Sequence, residues 1–304
     1  MTEITVLPSP PPRPPRPKPA GHTIALALGG GGARGLAHIL VLEAFEELGI
    51  KPTRIAGTSI GALYGAAYAS GLAAAHIRAL TEETLSSRFE VIRQLIAARS
   101  DPVRKLLRVL PLRSALLDPE AVLDLVLPKG VKAQFEDLAI PLQVVATDLV
   151  SQTAFVMDHG DLRSAVAASI AIPILFQPVR REGRVLLDGG LVNPLPYDLI
   201  AGTADVTIAI DVGGASREAR LASTPSILEI SVHSIQIIQK SITRERMRHV
   251  QPDIYIDVDL DQFGALDFLK VKDILAAAQP MKEQLKRQLG RVLDAETIAL
   301  QGPS

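Results

Sequence analysis

Two consecutive stretches restrict the fold more than any other feature of this chain. In "HTIALALGGGGARGLAHILVLEAFEELGI", residues 22–50, a short apolar run stops at four glycines and gives way to apolar residues at helical spacing. In "TRIAGTSIGALYGAAYASG", residues 53–71, a second short run stops at a glycine-flanked serine and passes into small and apolar residues. Apolar runs of this length suit strands buried on both faces. Two strand–helix units in succession call for a parallel sheet with helices packed on it. In the first helix Leu36, Ile39, Leu40, Leu42 and Leu48 are apolar, Glu43, Glu46 and Glu47 cluster to one side, and Gly49 suits the C-terminal cap.

The same alternation resumes later. "IPLQVVATDL" and "TAFVMDHG" read as strands, and "DLRSAVAASIA" as a helix capped by Asp161. "RVLLDGG", "ADVTIAIDVGG" and "PDIYIDVDL" read as further strands. "SILEISVHSIQIIQKSITRERMRHV" reads as a long helix, and "KVKDILAAAQPMKEQLKRQLGRVL" as a helix kinked at Pro280. The fold class expected is therefore α/β, over residues 22–304, with 216–304 as its C-terminal part.

Two segments stand outside this pattern. Residues 1–21 hold the proline-dense "LPSPPPRPPRPKPAG", which cannot build helix or sheet ladders and is expected to be extended and disordered. Its Arg13, Arg16 and Lys18 leave a proline-motif binding partner as one option, beside a solvated tail. Residues 72–135 are helical in pattern and locally basic, with Arg88, Arg93, Arg99, Arg104, Lys105, Arg108 and Arg113. They read as an inserted helical cap. In "DPVRKLLRVLP" the leucines fall on one face and the charges elsewhere, which suits a helix packed on the core or an interface with anionic lipid.

Composition narrows the function classes. Thirty-two basic residues against 33 acidic ones give a formal net charge of −1, without the basic excess expected of a nucleic-acid binder. There is no cysteine, so disulfides, thiolate metal sites and cysteine nucleophiles are excluded. The N-terminal stretch lacks the features of a signal peptide, and no apolar run approaches the roughly 20 residues of a membrane span. A cytoplasmic protein is expected, with peripheral membrane contact left open.

Three patches carry chemistry. "GGGGARG" contains G-x-G-x-x-G as Gly30, Gly32 and Gly35, followed by a helix. A dinucleotide site would want an acidic residue about 20 positions on, after the second strand. The second strand here ends "IAGTS", with no carboxylate. What remains is a run of backbone N–H groups at a helix start, able to hold an anion or a transient oxyanion. The second patch, Gly57-Thr58-Ser59-Ile60-Gly61, is a G-x-S-x-G, whose glycines permit a sharp strand-to-helix turn presenting the serine hydroxyl. A plain serine N-cap is the alternative. The third, Asp188-Gly189-Gly190, places a carboxylate at a strand end, where an ordinary Asp-Gly turn would look the same.

A serine nucleophile needs a proton acceptor. Of His22, His38, His76, His159, His233 and His249, none lies in a glycine-rich loop. Asp188 is the better base, since partial burial raises a carboxylate pKa towards a useful range.

Taken together and in this order, "GGGARG", "GTSIG" and "DGG" resemble the patatin-like phospholipase family, in its bacterial GGGGARG type. "ASIAIPILFQPV" is similar to that family's serine-to-proline segment, and the resemblance covers residues 23–215. It implies a three-layer α/β/α sandwich around a mainly parallel sheet. It further implies Ser59 as nucleophile, Asp188 as proton acceptor, and the N–H groups of Gly30, Gly31 and Gly32 as the oxyanion hole. Arg34 would brace the loop or meet a phosphate; bracing is the favoured reading. The implied activity is hydrolysis of an acyl-lipid ester through an acyl-enzyme, with neither metal nor cofactor. Two other readings stay open: a Ser–Asp–His esterase using His233 or His249, and a non-catalytic lipid-binding scaffold recruited by its proline-rich arm.

Overall fold

The computed structural model describes residues 22–87, 117–214 and 227–300. The proline-rich stretch and the arginine-rich part of the expected cap, Arg88 to Arg113, lie outside the described residues.

The first strand, β1 (Ile24–Leu28), is fully buried along its length. Its alternate residues serve two cores, as the pleat requires. Ile24, Leu26 and Leu28 join the larger one, while Ala25 and Ala27 meet Leu195, Tyr197 and Ile200 on the other face. A 3-10 turn, Gly32–Ala37, leads into α1 (His38–Glu47). Gly49 follows with φ +67°, the left-handed cap expected of it. β2 (Arg54–Thr58) runs parallel to β1, and α2 (Ile60–Ala69) leaves it with Ser59 as the corner. α3 (Ala74–Ser87) and α4 (Pro119–Val126) are the described helices of the expected cap.

Next come β3 (Leu142–Asp148), β4 (Thr153–Met157), α5 (Leu162–Ser169), β5 (Val179–Arg181) and β6 (Arg184–Asp188). Asp161 caps α5 as its sequence promised, accepting from Ser164 N at 2.8 Å. β7 (Val206–Asp211), α6 (Ile227–His249), β8 (Ile254–Asp257) and α7 (Val271–Leu300) complete the described order; Pro280 lies within α7. α7 packs on α1, where Lys282 meets Glu43 and Glu47 at 2.9 and 2.5 Å.

The sheet order is β5-β6-β3-β2-β1-β7-β8, with β4 paired to β3. Pairs β2–β3, β1–β2, β1–β7 and β7–β8 are parallel, and β3–β4, β3–β6 and β5–β6 antiparallel. The result is the mainly parallel α/β sandwich that the resemblance implied.

One register detail positions everything that follows. Val144 and Val145 of β3 pair with β2 and also with β4, so those partners take opposite edges. Ala146 to Asp148 pair with β4 and with β6, so β6 occupies the edge that β2 has vacated. β2 ends at Thr58, opposite Val145. β6 arrives from the other direction and ends at Asp188, opposite Ala146. Two strands thus meet head to head along one edge of β3.

Candidate active site

That meeting brings Ser59 to Asp188 across 129 positions of sequence. Ser59 has φ 55° and ψ −124°, a conformation that costs a non-glycine residue of order 1–3 kcal/mol and holds only where neighbours enforce it. Three hydroxyls do the enforcing. Ser169, fully buried at the end of α5, accepts from Ser59 N at 2.8 Å and donates to Val145 O at 2.6 Å. It spans the gap where β2 peels away from β3. Two residues on, Ala171 O accepts from Asp188 N at 2.9 Å, so the same chain end secures both strand tips. Thr58 Oγ1 donates to Asn193 O and Thr147 Oγ1 to Asp188 O, at 2.8 and 2.7 Å.

Removing the Ser169 hydroxyl would leave a buried N–H and a buried carbonyl without a partner. Ser169→Ala is therefore expected to cost about 1–3 kcal/mol of stability, read as a lower urea midpoint.

The glycines permit close approach. A methyl on Gly61 would fall 2.1 Å from Leu28 O, so only glycine lets the first turn of α2 sit on the end of β1. Gly35, Gly57 and Gly189 are packed in the same way against Ile60, Ala62 and Val145 O.

Asp188 is buried. Its Oδ1 accepts from Gly190 N at 2.7 Å, whereas Oδ2 has no hydrogen-bond partner of good geometry. Burial pushes the carboxyl up to about 6, and the nearby Ser59 hydroxyl and Gly190 N–H offset part of that rise. A carboxylate of this kind is ionised at neutral pH yet basic enough to accept a proton.

Above this pair lies the glycine loop. Gly30 was expected to contribute an oxyanion donor, but its N–H donates to Pro194 O at 2.9 Å. Gly29 N is bonded to Ile210 O and Ala33 N to Ala265 O. The N–H groups of Gly31 and Gly32 have no such partner among the described residues. Both residues line one cavity, of about 430 Å³, with Ser59 and Asp188. Gly32 has φ +60°, a backbone form that favours glycine. The loop thus uses the amides of Gly29, Gly30 and Ala33 to hold itself to its surroundings.

Arg34 is buried beneath the loop and donates from Nε to Gly31 O at 3.5 Å. Burial lowers its pKa, and Asp261 and Asp211 nearby support its charge. It braces the loop.

No histidine lines the cavity. His38 lies behind the glycines, its Nε2 2.8 Å from Gly29 O. Burial drives its pKa down to about 4, so the ring is neutral at physiological pH and Nε2 is the donor. His249 lies near Glu245 and His159 beside Asp158, both exposed. His233, on α6, is not among the cavity residues.

Sequence reasoning assigned no role to Ser169, Thr58 or Thr147. Ser169 opens the "SIAIP" part of the quoted serine-to-proline segment, which was the available signal. Among the described residues there is no cluster of three or more metal-binding side chains. No described helix is long and apolar enough to cross a membrane.

Comparison with known proteins places these observations. An uncharacterized NTE family protein of Mycobacterium tuberculosis is 38% identical over 208 residues, covering 67% of this chain and 53% of that relative. Human patatin-like phospholipase domain-containing protein 6 is 36% identical over 196 residues, 64% of this chain but 14% of its own length. The chain thus spans about half the length of the mycobacterial relatives it matches. Among solved structures, VipD from Legionella pneumophila aligns over 88% of this chain and 67% of its own, at 16% identity and a TM-score of 0.47. The family model for patatin-like phospholipase matches residues 26–201, more than half of the chain, from β1 through the segment after Asp188. The chain belongs to the patatin-like phospholipase family.

Proposed function

We propose that this chain hydrolyses carboxylic esters of phospholipids, lysophospholipids or other acyl lipids through an acyl-enzyme on Ser59. The observation that carries this reading is the convergence of three groups in one apolar cavity. A serine on a strained corner stands beside a buried carboxylate of raised pKa, near two amides without a backbone partner among the described residues.

Each group has a task. Ser59 Oγ attacks the ester carbonyl as Asp188 takes its proton. The carbonyl oxygen becomes an oxyanion, which the N–H groups of Gly31 and Gly32 hold. The C–O bond to the alcohol then breaks, and the departing oxygen recovers the proton from Asp188. Water, deprotonated by the same carboxylate, attacks the acyl-serine, and collapse of the second oxyanion frees the fatty acid and restores Ser59. A Ser–Asp–His triad is disfavoured because no histidine reaches the cavity. The dyad asks for none.

The cavity lining is dominated by leucine, isoleucine, valine and aromatic side chains, which suits an acyl chain. A fluorophosphonate is expected to label the protein at one site, with the adduct mapped by peptide mass to the peptide containing Ser59. Absence of an adduct, or labelling elsewhere, would overturn the assignment and favour a non-catalytic lipid binder.

A further inference from the structure

The cavity over Ser59 is unevenly furnished. Away from α6 its wall is apolar, formed by Leu63, Leu85, Val122, Ile170 and Phe176. The Tyr64 hydroxyl on that side is already engaged with Thr81. From α6, two carboxamides enter the same space. Gln236 and Gln239 are three residues apart, so they share a helix face, and both line the cavity.

Neither carboxamide has a hydrogen-bond partner among the described residues. Gln239 sits against Gly190, the residue whose N–H donates to Asp188: a methyl on Gly190 would fall 2.2 Å from Gln239 Nε2 and 2.9 Å from Asp188 Oδ1. Lys270 and Asp267 also line the cavity, paired at 2.9 Å, next to a short turn that packs on α3 rather than on α6. Amides placed in an apolar cavity await oxygens and hydroxyls supplied by a ligand. The position of Gln239 near Asp188 matters, because the departing alcohol must recover its proton there.

We propose that Gln236 and Gln239 bind the glycerol-borne oxygens of the alcohol leaving group. The assignment rests on the Ser59–Asp188 reading. A carboxamide suits this place: its NH₂ donates to glycerol oxygens, and its carbonyl accepts from a glycerol hydroxyl. Being uncharged, it does not repel the Asp188 carboxylate. The acyl chain is left the opposite, apolar wall.

The test compares two esters of one acyl chain: lysophosphatidylcholine, and a p-nitrophenyl ester, whose leaving group has neither glycerol nor phosphate. Wild type, Gln239→Leu and Gln236→Leu are assayed for kcat/KM on both. Leucine keeps the bulk and suits an apolar wall, and the second variant serves if the first does not fold. The ratio of phosphodiester to aryl-ester activity is expected to fall about tenfold in each variant, the loss of one to two good hydrogen bonds. A ratio that does not move overturns the assignment, whether both activities fall together or neither does. A wild-type protein inert towards both esters overturns the hydrolase reading, and this assignment with it.

Discussion

Asp188→Asn is expected to lower kcat by about 10²–10⁴-fold, the usual contribution of a general base, while raising the thermal midpoint at pH 7–8. Both effects have one cause. The carboxyl sits at about 6 because burial penalises its charged form. An ordinary unfolded-state value is near 4, so ionising Asp188 in the native protein costs up to about 3 kcal/mol. The sign follows from proton counts. Between about pH 4 and 6 the unfolded chain releases this proton while the native protein keeps it, so native stability falls as pH rises. Above pH 6 the penalty is complete; below pH 4 it is absent.

Asparagine keeps the acceptor for Gly190 N and carries no charge. After the cost of burying the amide, a gain of about 1–2 kcal/mol is expected, equivalent to a few degrees in a protein of this size. Melting curves of both proteins from pH 3 to 8 should therefore cross between pH 4 and 6, the variant being the less stable at acid pH and the more stable above 6. In the wild type, kcat/KM should lose activity through an acid limb near pH 6. A limb near 4, or a variant of unchanged activity, would remove Asp188 from the role of base.

The second large effect is expected at Gly61. An added methyl would lie 2.1 Å from Leu28 O and 2.5 Å from its carbonyl carbon. Both are backbone atoms at the end of a central strand, and they cannot turn aside as a side chain would. Relief requires α2 to lift from β1, which moves the corner at Ser59. Gly61→Ala is expected to cost about 3 kcal/mol, the upper range for overpacking, and to slow fluorophosphonate labelling in the fraction that folds. Gly290 supplies the control. It lies in α7 with open space around it, and alanine there should stabilise by about 0.5–1 kcal/mol. Urea midpoints measure both. Equal effects would mean that the contact at Leu28 is not what requires glycine.

Much of the fold was legible because its signals are local. Buried strands wrote themselves as apolar runs, Asp161 and Gly49 marked helix ends by cap chemistry, and Ser59 announced its corner through Gly57 and Gly61. The candidate site residues stood out for a related reason: tight turns admit few residue types. The antiparallel entry of β6 was not, since nothing in "RVLLDGG" states which edge it will join. The fate of Gly30 was equally hidden. Its N–H is committed to Pro194, a partner 164 positions away, and a glycine that donates to protein reads the same in sequence as one that donates to substrate. Nothing in the sequence of the long helix singled out Gln236 and Gln239, which only packing brings to the cavity.

By itself the sequence determined which elements form and where the chain bends, because backbone sterics and hydrophobic period act within a few residues. It also placed a serine and an aspartate at two of those bends. Only the tertiary structure decided that β2 and β6 share one edge of β3, that Ser169 closes the gap between their tips, and that the Gly30 amide is bonded to Pro194 O. Those outcomes depend on register and on competition for hydrogen-bond partners distant in sequence, which local spacing does not encode.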